Sequence, residues 1–345
     1  MTHDDDSFRP HRPPGPGRAA GRIGGLLLLM GCALALASCS LRSSEPLRIG
    51  ISDWPPYEFL HLAREKGFFE QEGIEVRLIE FASMSDARRA FEHRQIDGGL
   101  FSIFETLHVR DQSHRALQIA LIIDFSDGAD AILARPPIRA VAELRGKRIG
   151  IDLGALGIYV AERALSRHGL SLDDVTVVRV EDIDMIRFLE EGRVDAVVNY
   201  PPTRTHIEQK GLAHAIFTSR QIPGEIVDVL ALDGAVIQER PADVARLIRA
   251  FYRAVDYART HPQDAYRIMA QREHLSVEAF REALESGVTL VPLADQARFL
   301  DPSSQFSRTI GEIAAILHRR EQIADPGVGE NLVSPEPAAL ASGVE

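Results

Sequence analysis

The tetrapeptide "RIGI" occurs twice, at residues 48–51 and 148–151, and the chain after each copy runs in the same order. After the first come a loop, "SDWPPY", a helix-like "EFLHLAREKGFFEQEG" and a strand-like "IEVRLIEF". After the second come "DLGALG", "IYVAERALSRHG" and "DVTVVRVE". Both helical stretches space their apolar residues for one face: Phe59, Leu62 and Ala63 in one, Val160, Ala164 and Leu165 in the other. Each ends near a glycine, Gly73 or Gly169, as C-terminal capping asks. A further helix and a strand opened by an aspartate follow, Asp97 in "SDARRAFEHRQIDGGLFS" and Asp195 in "EDIDMIRFLEEGRVDAVVNY". Four shared letters mean little alone. The same order of elements at an offset of about 100 residues predicts a β-α-β-α-β unit made twice, in helix-covered, mainly parallel sheets.

Two apolar strands around a polar turn, "LQIALIIDFSDGADAILARPPI", join the halves, and "EIVDVLALDGAVIQE" reads as a second crossing. Pro241 then opens an amphipathic helix with Val244, Leu247, Ile248, Phe251 and Val255 on one face. The expected plan is an α/β chain of two lobes, 47–132 and 133–232, with residues 233–320 returning as mostly helical cover for the first. The Pro/Gly/Ala/Glu-rich end, 321–345, is expected to be disordered.

Residues 1–38 stand apart from this plan. A polar Pro/Gly-rich start with Arg18 and Arg22 precedes the apolar run "IGGLLLLMGCALALA", long enough for a signal-peptide core and short for a membrane span. The run ends in "LASCS", which resembles a bacterial lipobox. The resemblance implies cleavage before Cys39, a lipid on that residue, a short linker over 39–46, and a position on the periplasmic side of a bacterial membrane. A plain secretion signal is the alternative. Cleavage removes Cys32, so no intrachain disulfide is possible, and about 300 residues must be stable on their core alone. Without the four arginines and three aspartates of the leader, the 39 basic and 50 acidic residues become 35 and 47. That acidic balance excludes a nucleic-acid partner.

In open α/β sheets, ligands sit at the carboxyl ends of strands beside helix N-termini. Here those ends are the loops 53–57, 81–85, 100–102, 124–130, 152–157 and 199–202, facing one another across a cleft. "GIDLGALG" leaves backbone N–H groups at a helix start, suited to a carboxylate, sulfonate or phosphate. A dinucleotide loop stays open as an alternative, although Asp152 stands where that motif wants glycine; so does a tight turn that holds nothing. Trp54, the chain's single tryptophan, and Tyr57 sit on a rim stiffened by Pro55 and Pro56, offering aromatic faces to a planar ligand or a cation, or else packing between lobes. Ser83, Ser102 and Asn199 are candidate hydrogen-bond partners. Asp124 is the acid placed to meet an amine or ring nitrogen, while Asp127 and Asp130 are expected to cap the turn around Gly128. No metal-ligand spacing, nucleophile elbow or acid/base pair is identifiable, so neither catalysis nor a cofactor is expected.

Three stretches, "LRIGISDWPPYEFLHLAREKGFFEQEGIEVRLIEF", "ALIIDFSDGADAILARPPIRAVAELRGKRIGIDLGALG" and "FLEEGRVDAVVNYPP", resemble the nitrate/sulfonate/taurine/thiamine-pyrimidine group of ABC-transporter substrate-binding proteins, over residues 46–300. The resemblance implies a type 2 periplasmic binding fold, a cleft between lobes, and delivery of a small molecule to a permease and its ATPase; a hinge that must work freely favours a monomer. By position it implies ligand contacts at Trp54, Tyr57, Ser83, Ser102, Asp124, Gly154, Ala155, Leu156 and Asn199. Fungal pyrimidine synthases share the fold, but their cysteine-rich motif is absent here; a sensory module is a further alternative. Many anion binders of the group carry Ser or Thr where this chain has Ala155 and Leu156, and no arginine falls in the rim loops. A planar heterocycle therefore stays open beside an oxyanion.

Overall fold

The computed structural model describes residues 45–343 except 114 and 153, so the leader and Cys39 lie outside the described residues. The first copy of the unit is β1 (Leu47–Ile51), α1 (Glu58–Glu65), β2 (Val76–Glu80), α2 (Met84–Glu92) and β3 (Gly98–Ser102). Helix α3 (Ile103–Gln112), β4 (Leu117–Ser126) and β5 (Ala131–Ala134) lead across to the second copy. That copy is β6 (Arg148–Ile151), α4 (Ala155–Ser166), β7 (Thr176–Arg179), α5 (Met185–Glu190) and β8 (Ala196–Asn199). Then follow α6 (Thr203–Gln209), β9 (His214–Thr218), β10 (Val227–Asp233), α7 (Pro241–Thr260), β11 (Val288–Leu290), α8 (Gln305–Arg319) and α9 (Glu336–Ser342).

Two sheets result, ordered β11-β4-β10-β3-β1-β2 and β7-β6-β8-β5-β9. Strands of the repeated unit pair in parallel, β2-β1-β3 in one sheet and β7-β6-β8 in the other. Next to each trio lies a crossing strand, β10 or β5, and these run antiparallel. The sheets are thus mixed, with parallel pairing confined to the duplicated part. Strand β10 also moves a boundary: expected as the end of the second lobe at 232, it belongs to the first sheet, because the chain has already crossed between β9 and β10.

Duplication extends to individual bonds. Arg48 places its backbone N–H on Asp97 Oδ2 at 2.9 Å, its Nε on the same oxygen at 3.2 Å and its Nη2 on Oδ1 at 2.6 Å. Arg148 repeats this on Asp195 at 2.9, 3.1 and 2.8 Å. In each lobe a bidentate pair pins the first strand to the turn that opens the third, which explains an aspartate at both positions. Between them the strands approach closely: a Cβ on Gly98 would lie 2.5 Å from the Ala231 carbonyl oxygen on β10. Gly98→Ala is therefore expected to cost about 1–3 kcal/mol by overpacking and to lower the melting temperature by roughly 2–5 °C, read by thermal denaturation.

Helix α7 buries Val244, Leu247, Ile248 and Phe251, with Val255 half-buried beside them. The C-terminal segment is a correction. Instead of a disordered tail, residues 323–342 pack on the first lobe, with Ile323, Val328, Leu332, Ala338 and Ala341 buried. Leu332 and Ser334 exchange backbone hydrogen bonds with Ile119, each at 2.8 Å, beside the part of β4 that β11 does not reach. An edge that would otherwise offer unpaired amides is covered. No helix among the described residues is long and apolar enough to cross a membrane.

Candidate functional site

The carboxyl end of the first sheet carries a row of polar residues. Ser102 on β3, Asp228 on β10 and Asp124 on β4 stand directly opposite one another across adjacent strands. Such cross-strand neighbours have Cβ atoms about 5 Å apart on one face, where like charges repel. All three are buried. Trp54 Nε1 donates to Asp124 Oδ2 at 3.2 Å and Tyr57 Oη donates to Asp228 Oδ1 at 2.6 Å. Asp124 Oδ1 is buried with no hydrogen-bond partner among the described residues.

Burial drives both carboxyls well above the usual range, and each is pushed further by a neighbouring aspartate, Asp130 for Asp124 and Asp124 for Asp228. The Trp54 and Tyr57 hydrogen bonds offset only part of this. Asp130 is a third buried acid, raised to about 6 by burial against the opposing effects of Ser126 and Arg204. It does not cap the turn as expected. The Gly128 N–H goes to Ser219 Oγ at 2.6 Å instead, and Asp127 is exposed beside Arg220, 3.6 Å away.

The second lobe closes on this row. Tyr200 sets its ring edge-on to Trp54 with centroids 5.7 Å apart. Asn199 donates from Nδ2 to Asp182 Oδ1 at 2.8 Å and accepts the Tyr200 N–H at 2.8 Å, so its polar atoms are used within the chain. Phe104 of α3 meets Tyr159 of α4 with ring centroids 4.5 Å apart. At the start of α4, Gly154 N–H binds Asp152 Oδ1 at 2.9 Å and Ala155 N–H binds Glu105 Oε1 of the facing lobe at 3.1 Å. These amides were expected to be open to an anion; carboxylates of the chain already occupy them, which closes them to a dinucleotide phosphate as well. Ala155 and Leu156 are core residues.

Ser83 and Ser102 serve as N-caps. Ser83 Oγ accepts the Asp86 N–H at 3.1 Å, and Ser102 Oγ accepts that of Glu105 at 3.3 Å. Ser83 also lines a seam cavity of about 130 Å3 with Ser85, Arg89, Asp152, Glu181 and Asp182. Two arginines reach the seam from α2 rather than from the rim loops. Arg89 is tied to Asp86, and Arg88 to Glu92 at 2.6 Å and Glu105 at 3.2 Å. A larger groove, about 700 Å3, lies on the outer face between α8 and the C-terminal segment, apart from these acids. Asp228, Tyr200 and Glu105 are the seam residues that sequence reasoning missed.

Among known proteins, the family described as "NMT1/THI5 like" matches residues 54–265. A Brucella abortus (strain 2308) protein that carries the name of a binding protein is 26% identical over 250 residues, 71% of this chain and 77% of that one. The 4-amino-5-hydroxymethyl-2-methylpyrimidine phosphate synthase of Candida albicans (strain WO-1) is 24% identical over 226 residues, covering 61% of this chain and 66% of its own. Among solved structures, the alkanesulfonate-binding protein SsuA of Xanthomonas axonopodis pv. citri, bound to MOPS, aligns with a TM-score of 0.73 at 18% identity, over 85% of this chain and 99% of that one. The chain belongs to the NMT1/THI5-like family and has the two-lobe α/β fold of the periplasmic substrate-binding proteins.

Proposed function

We propose that this is an extracytoplasmic solute-binding protein that closes its lobes on a small nitrogen heterocycle and hands it, unaltered, to an ABC importer. The observation that supports this reading is Asp124, a residue with a partnerless buried oxygen that stands opposite Asp228 and takes the Nε1–H of Trp54, itself edge-on to Tyr200. A carboxyl pair that retains protons accepts from an amino group through one oxygen and donates to a ring nitrogen through another. A sulfonate offers only acceptors and meets three aspartates. Trp54, Tyr57, Ser83, Ser102 and Asp124 form the first-lobe wall in this reading; Gly154, Ala155, Leu156, Asn199 and Tyr200 form the second. The protein works as a monomer, anchored through lipid on Cys39, with permease and ATPase as partners.

Parallel calorimetric titrations with 4-amino-5-hydroxymethyl-2-methylpyrimidine and with methanesulfonate test the ligand class. The pyrimidine is expected to bind, to compact the protein in small-angle scattering, and to be recovered at unchanged mass. Binding of methanesulfonate in its place, or chemical conversion of the pyrimidine, contradicts the reading. The anchor has its own test. Cys39→Ala is expected to move the protein from the membrane to the soluble fraction, and unchanged fractionation refutes lipidation.

A further inference from the structure

A helix N-terminus attracts negative charge, and that of α4 has been given one by the opposite lobe. Glu105 sits in the first turn of α3, behind Ser102 in the pattern S-x-x-E. A local capping box sends such a glutamate back to the N-cap N–H. Here the side chain instead crosses the seam: Oε1 takes the Ala155 N–H at 3.1 Å, while Oε2 lies 3.2 Å from Arg88 Nε. The residue is 2% exposed. Gly154 makes room for it, since a Cβ there would stand 2.8 Å from Oε1. Groups that would hold a free oxyanion hold this carboxylate: the α4 amide and the Arg88 guanidinium.

We propose that Glu105 determines the specificity of the seam: its carboxylate is a built-in anion that latches the lobes together and turns anionic ligands away. The proposal rests on the reading of the seam as the ligand site and adds the reason for its charge preference. Two negative groups on one amide and one guanidinium repel, so a ligand's sulfonate or phosphate is rejected by like charge as well as by lost space. A neutral or cationic ligand leaves the latch intact. Closure then draws on a charge-assisted bond supplied by the chain itself.

Titration of inorganic sulfate into wild type, Glu105→Gln and Glu105→Ala, followed by thermal shift and calorimetry, tests this without any nitrogenous ligand. Wild type is expected to show no saturable response. Glu105→Ala is expected to bind sulfate saturably, at least tenfold tighter than the weakest affinity the wild-type titration would register, as Arg88 and the α4 amide become open. Glu105→Gln, which keeps the acceptor oxygen and the fold but not the charge, falls between the two. Equal sulfate affinity in all three proteins overturns the proposal, as does saturable binding by wild type. Failure of the pyrimidine titration alone, with the sulfate order as expected, sinks the ligand assignment and leaves Glu105's role standing.

Discussion

Asp228→Asn is expected to stabilise the unliganded protein at pH 8, to do so less at pH 5, and to weaken capture of the pyrimidine at least tenfold. The opposite signs have one cause. Asp124 and Asp228 face each other across two strands in a buried site, and both carboxyls keep their protons to higher pH than an unfolded chain does. Their folded values are raised, so the stability they confer is complete below the unfolded aspartate range near about 4. It is lost as pH rises from there to the folded values, at about 1.4 kcal/mol per pH unit for each proton that the folded state keeps after the unfolded chain has released it. Asparagine keeps the volume and an acceptor for the Tyr57 hydroxyl, and it carries no charge to be buried. A gain on the order of 2 kcal/mol at pH 8 follows, measured by denaturant titration at the two pH values. Binding falls because the ligand's donor then meets one carboxyl instead of a pair. A variant that is less stable than wild type at pH 8, or that binds as wild type does, contradicts this account of the acids.

Removal of residues 321–345 is the second large effect. The segment buries Ile323, Val328 and Leu332 and caps the free edge of β4 at Ile119. Fully burying a Leu, Ile or Val side chain stabilises by about 1.5–3 kcal/mol. Part of that is offset by the entropy of ordering the segment, which leaves a loss of about 3–6 kcal/mol on truncation. Leu332→Ala alone is expected to cost about 2–4 kcal/mol through the cavity it leaves. Truncated protein should also aggregate more readily, because Ile119 lies on an edge then free to pair. A truncation that melts with the full chain shows that the segment is an appendage.

What was legible in the sequence depended on periodicity. The duplicated unit shows itself because strand and helix repeats of 2 and 3.6 residues recur in one order after each "RIGI", and Asp97 and Asp195 mark equivalent bonds. The position of β10 did not show, since an apolar strand reads alike in either sheet and its antiparallel partner is set by the chain's path. Composition points the wrong way for the C-terminal segment. Its few apolar residues have no helical or strand period, and only the groove between β4, α7 and α8 makes them core.

Within the site, the aspartates share a signal. "LIIDF" and "IVDVLAL" place Asp124 and Asp228 in the same setting, one acid inside an apolar strand. An unpaired acid there is costly enough that a functional reason should be sought. Tyr200 stood one residue beyond a named candidate. Glu105 was hidden more deeply: S-x-x-E has a sufficient local explanation, and nothing in the sequence says that its carboxylate reaches a residue fifty positions away.

The single tryptophan gives the central claim its most direct measurement. Trp54 is the chain's only indole, and its Nε1 rests on Asp124 at the seam. Intrinsic fluorescence during titration with 4-amino-5-hydroxymethyl-2-methylpyrimidine should change saturably, with the midpoint found by calorimetry, and the change should vanish in Asp124→Asn. Calorimetric binding that leaves Trp54 emission untouched would place the ligand elsewhere and contradict capture between the lobes.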